Sequence, residues 1–109
     1  LDVTFDGVGG HGSAPEMTID PVVMAAQATL GWQTIVSRTI DPQAAAVLTV
    51  GAIDAGRDNN VIPDEATLLV NLRWFDRAVR DRMIARIDEI GHGIASGAGM
   101  PEERMPKRV

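Results

Sequence analysis

Residues Ala66 to Phe75 alternate strictly enough to fix much of the architecture around them. In an extended chain Ala66, Leu68, Val70, Leu72 and Trp74 fall on one side, and Thr67, Leu69, Asn71, Arg73 and Phe75 on the other. One face is wholly apolar and the other mixed, so this strand belongs to a sheet covered by helices on one side only. Asp76 follows as an N-cap. Val79, Met83, Ile87, Ile90 and Ile94 then recur at intervals of four, four, three and four, the buried stripe of a helix that Gly97, Gly99 and Pro101 end.

The rest of the chain supplies the partners of that strand and helix. Asp2 to Phe5 alternates polar and apolar residues and predicts a first strand. Asp20 caps a helix that Pro21 opens and that runs to about Arg38. Met24, Ala25, Ala28, Trp32, Ile35 and Val36 share one side of it, Val22, Val23, Ala26 and Leu30 another, and only Gln27, Thr34 and Arg38 form a polar stripe. A chain of 109 residues cannot enclose such a helix, so its second apolar side is expected to meet a partner. Asp41-Pro42 breaks the chain before a second long strand, Ala45 to Ile53, and Met105 to Val109 offers a short last strand, expected to be incomplete. This order predicts an α+β fold, a ferredoxin-like two-layer sandwich with an antiparallel sheet of about four strands and two helices on one face. Residues 1–109 form a single domain in this reading, and the start in mid-strand without an initiator methionine suggests a piece of a longer protein.

Composition removes several function classes. A net charge of -5 and a pI near 4.8 argue against a nucleic-acid surface, which needs clustered cations. No apolar run approaches the ~20 residues of a membrane span. Neither nucleic acid nor membrane is therefore an expected partner. The absence of cysteine excludes disulfides and thiolate metal sites, and is compatible with the cytoplasmic location expected here. A hydrolytic metal centre needs several His, Asp or Glu side chains converging on one point. This chain has only His11 and His92, the latter opposite the Ile90 stripe, while Asp54, Asp58, Asp64 and Glu65 crowd a turn beside Asn59 and Asn60 and read as turn chemistry. No metal site is expected within it, and no catalysis by the domain alone.

Chemistry points instead to Gly9–Pro15, G-G-H-G-S-A-P. His11, flanked by Gly9, Gly10 and Gly12, has no side-chain neighbours to bury it and is presented, while glycine permits backbone angles that other residues resist. On these residues alone, a plain Gly-rich turn with an exposed histidine fits as well. With it come Asp20-Pro21 ahead of an apolar helix, N-V-I-P at Asn60 to Pro63, and L-R-W-F at Leu72 to Phe75. In this order and spacing the motifs resemble the smaller, inserted domain of the metal-dependent amidohydrolases and exopeptidases, the family of hippurate hydrolase, aminoacylase, indole-acetyl-amino-acid hydrolases and glutamate carboxypeptidase. The resemblance covers Phe5 to about Gly97.

In that family two divalent metals, zinc or manganese, sit in a separate larger domain, and the smaller domain is a lid and dimerisation module. The resemblance implies that His11 is a catalytic residue that reaches the neighbouring subunit's active site and helps polarise the scissile carbonyl. It likewise implies substrate-binding roles for Gly10, Asn60 and Arg73, the last two at the carboxylate end of an N-acyl amino acid or peptide. An arginine fork matches a carboxylate, and asparagine offers both donor and acceptor. From the residues alone, a surface salt bridge remains open for Arg73 and a self-bonded turn amide for Asn60. The implied homodimer uses helix 21–38, with Ala28 and Trp32 expected at the contact, and the edge of strand 45–53. Val8 and Glu16 depart from the family pattern, which commonly has Lys or Arg before the two glycines and, in hippurate-hydrolase relatives, a second histidine after the proline. The rival expectation is a free-standing ferredoxin-like module that binds a small regulatory ligand through the same turn.

Overall fold

The computed structural model describes residues 1–109. In chain order its elements are β1 (Asp2–Asp6), β2 (Gly10–His11), α1 (Pro21–Thr34), β3 (Ala46–Asp54), β4 (Val61–Ile62), β5 (Glu65–Trp74), α2 (Arg77–Ala98) and β6 (Lys107–Arg108). Four of the strands form one antiparallel sheet in the order β3-β5-β1-β6, and both helices pack on one face of it. This is the expected ferredoxin-like two-layer sandwich. Val3, Phe5, Leu68 and Val70 of the sheet meet Met24, Trp32, Met83 and Ile87 of the helices to make the core.

Local chemistry sets the helix ends. The Asp20 carboxylate accepts from the Val22 N–H at 2.9 Å, and the Asp76 carboxylate from the Ala78 N–H at 2.8 Å. Gly99, at φ +98°, closes α2 in the left-handed region where a side chain is strained. The first helix departs from its expected regular course to Arg38: beyond Thr34 it widens into a π turn, Ile35–Thr39, closed by Ile40 N–H to the Ile35 carbonyl at 3.0 Å. The wide turn lets Ile35 and Ile40 both enter the core.

Trp32 is fully buried, its ring centroid 6.3 Å from that of Phe5 and its indole N–H donating to the Ile87 carbonyl at 3.2 Å. Ala28 is buried beside it. These two residues therefore hold the core together and cannot meet a partner, contrary to expectation; the apolar surface of α1 is made by Val22, Val23 and Leu30, the last 74% exposed.

One flank of the molecule combines this helix surface with an open strand. β3 is the edge of the sheet, interrupted by a register shift between Val50 and Ala52. α1 packs over β3, whereas α2 is tied to β6 at the opposite edge by Arg108, which donates to both Asp88 oxygens at 2.9 and 3.0 Å. That bond holds the Arg108 pKa above its usual value. Asp2 and Val109 exchange backbone hydrogen bonds of 3.0 and 2.9 Å, so the two chain ends lie side by side.

Candidate functional site

The two short strands outside the main sheet build the site. β2 pairs antiparallel with β4, Gly10 opposite Ile62 and His11 opposite Val61, and the Gly12 N–H extends the ladder to the Asn60 carbonyl at 2.8 Å. The G-G-H and N-V-I-P segments are thus one ribbon, and the expected Gly-rich turn is in part a strand. Asp64 anchors the ribbon. Its carboxylate accepts from the Gly9 N–H at 3.0 Å and its carbonyl from the Gly7 N–H at 2.7 Å, long-range bonds rather than the turn chemistry expected of it. On the other side Val8 and Ile19 exchange backbone bonds of 2.9 and 3.0 Å, which fasten the segment to the start of α1.

The glycines serve this close packing. Positive φ occurs only at Gly56 and Gly99, so the G-G-H-G glycines occupy ordinary backbone angles, not the special ones that glycine permits. A Cβ on Gly9 would stand 2.5 Å from the Ile62 carbonyl oxygen and 2.8 Å from the Asp64 carboxylate. On Gly10 it would stand 2.9 Å from the Thr18 methyl. Side chains are excluded there because neighbouring chain segments fill the space.

His11 is exposed at the end of the ribbon. Its Nδ1 lies 3.0 Å from the Ser13 amide nitrogen and 2.7 Å from the Ser13 hydroxyl. Asn60 is exposed next to it across the ladder. The structure therefore brings Gly10, His11 and Asn60 together. It does not bring Arg73 to them. Arg73 is exposed opposite Val47 near the far end of β5, and the rise from Glu65 to Arg73 at ~3.3 Å per residue is about 26 Å. Ser13 and Asp64 are the residues that sequence reasoning missed; the only local signal was a hydroxyl two positions after the histidine.

No concavity gathers these groups. The largest, about 710 Å³ between the start of α1 and the end of α2, touches the glycine segment only at Pro15 and contains none of His11, Asn60 or Arg73. Arg73 borders a separate depression with Asn71, Leu72 and Trp74. No group of three or more His, Asp or Glu side chains is placed to hold a metal ion. No helix is long and apolar enough to cross a membrane.

Residues 1–91 match the family described as the peptidase dimerisation domain. The chain belongs to this family. Among curated relatives of this dimerisation domain, hippurate hydrolase of Campylobacter jejuni is 45% identical over 89 residues, covering 82% of this chain and 23% of the relative. N-acetyldiaminopimelate deacetylase of Leuconostoc citreum is 37% identical over 118 aligned residues, covering 97% of this chain and 30% of the relative. Among solved structures, one described as an aminohydrolase from methicillin-resistant Staphylococcus aureus superposes with a TM-score of 0.86 at 30% identity, over 90% of this chain and 25% of that one. The aminobenzoyl-glutamate utilization protein from Klebsiella pneumoniae gives 0.80 at 29% identity, over 97% and 25%. The dimerisation domain thus spans between 23% and 30% of the length of these two curated relatives.

Proposed function

We propose that this dimerisation domain is the lid of an amidohydrolase that cleaves the amide bond of N-acyl amino acids or related peptides, and that His11 of one subunit serves the active site of the other. The substrate class follows that of the relatives, a hippurate hydrolase and an N-acetyldiaminopimelate deacetylase. The observation that carries the crossing of subunits is the distance between His11 and Arg73 along the sheet. A single catalytic site that took both side chains from one lid would have to span that length of sheet, whereas a site that takes Arg73 from one subunit and His11 from the other does not.

In this reading the His11 imidazole donates to the carbonyl oxygen as negative charge develops there. Asn60 and Gly10, on the same ribbon, contact the same substrate, and Arg73 of the opposite subunit pairs with its carboxylate. The two zinc or manganese ions expected of such an enzyme find no ligand set in this chain and belong to the larger domain. Dimerisation uses the exposed side of α1 and the free edge of β3, which share one flank. The location in this reading is cytoplasmic, with which the lack of cysteine is compatible. The family match favours this reading over a free-standing regulatory module.

The test is made in the parent enzyme. His11→Ala should lower turnover by ~100-fold or more, the size expected for one oxyanion-type donor, with metal content intact. Mixed with chains lacking a metal ligand, His11→Ala chains form heterodimers in which one of the two sites has only intact parts, so activity should return. Heterodimers that form and stay inactive would show that His11 does not act across the interface.

A further inference from the structure

From the contacts of the histidine ring we infer that Ser13 is a positioning residue that fixes the tautomer of His11, holding Nδ1 as an acceptor and the ring proton on Nε2. A backbone N–H can only donate, and the Ser13 amide nitrogen is 3.0 Å from Nδ1. A proton on Nδ1 would point at that N–H, so the neutral ring keeps its proton on the other nitrogen. The Ser13 hydroxyl, at 2.7 Å from Nδ1, adds a second donor to the same atom. Both come from one residue, two positions along the chain, in a turn closed by the Ala14 N–H to the His11 carbonyl at 3.0 Å. The ribbon and the turn therefore hold the ring from two sides, by the backbone of His11 and by its Nδ1.

This gives the exposed histidine a defined polarity. Nε2–H is left as a donor directed away from the turn, the form needed by a group that stabilises an oxyanion. That catalytic consequence rests on the function proposed for His11; the tautomer assignment does not.

The protein has only two histidines, so ring nitrogen-15 chemical shifts of histidine-labelled protein read the tautomer directly. The exposed His92 on α2 serves as the internal reference. At a pH where both rings are neutral, His11 should show a larger Nε2–H population than His92, and Ser13→Ala should move it toward the His92 ratio. Ser13→Thr should restore it. A wild-type ratio equal to that of His92, or a ratio unchanged in Ser13→Ala, overturns the assignment. In the parent enzyme Ser13→Ala should lower kcat by about five- to tenfold, the loss of one neutral hydrogen bond, with KM unchanged. If His11→Ala leaves turnover intact while the tautomer ratio responds to Ser13→Ala, the function proposed for His11 fails and the role of Ser13 stands.

Discussion

Glycine carries two different duties in this chain, and substitution separates them. At Gly9 a Cβ would lie 2.5 Å from a backbone oxygen that the ribbon cannot move cheaply. Gly9→Ala should therefore cost about 1–3 kcal/mol, the range for overpacking a fixed site. Gly93, inside α2, has nothing within 4 Å of its missing Cβ. Gly93→Ala should stabilise by roughly 0.5–1 kcal/mol, because alanine gives up less backbone freedom in a helix. Equilibrium urea unfolding of the two variants checks the pair, and equal signs would contradict the packing described for the ribbon. The sequence shows a glycine at both places. It does not show which one is crowded, because the crowding at Gly9 comes from Ile62 and Asp64, far along the chain.

At the scale of elements, α1 has two apolar sides, one buried in the core and one exposed. Trp32→Ala empties a fully buried site and should cost about 3–5 kcal/mol, read as a fall in the unfolding midpoint. Leu30→Glu, on the exposed side, should change monomer stability by less than about 0.5 kcal/mol while shifting sedimentation from dimer to monomer. A dimer that persists would move the interface off this face. These elements were legible because their signals are local: the period of two in β5, the three- and four-residue spacing in α2, and the aspartate caps at Asp20 and Asp76. The ribbon was not. β2 and β4 have two residues each, too short to show any period, and pairing between distant segments leaves no trace in either. Ala28 and Trp32 were misplaced for a related reason. Where a helix is apolar nearly all round, spacing shows that two faces exist but not which one the sheet takes.

The molecule as a whole is elongated, 47 by 25 by 22 Å, with His11 and Arg73 toward opposite ends of the sheet. Under the function proposed for His11, activity requires the assembled dimer, so dilution well below its dissociation constant should make specific activity of the parent enzyme fall in proportion to protein concentration, and total activity with its square. The flank proposed for the dimer also carries a liability. Ala46 to Ile53 of β3 reads A-V-L-T-V-G-A-I, eight residues at a free sheet edge with neither charge nor proline. Such an edge is a template for open-ended strand addition and amyloid-like stacking. In the proposed dimer, a subunit parted from its mate would expose this template to every other copy. Leu30→Glu chains should consequently scatter light on standing. A second change, Thr49→Lys on the exposed part of the edge, should suppress that scatter by placing a charge where another strand would dock. In the arrangement proposed here, pairing of the two subunits would protect the protein from its own aggregation as much as it would complete a site.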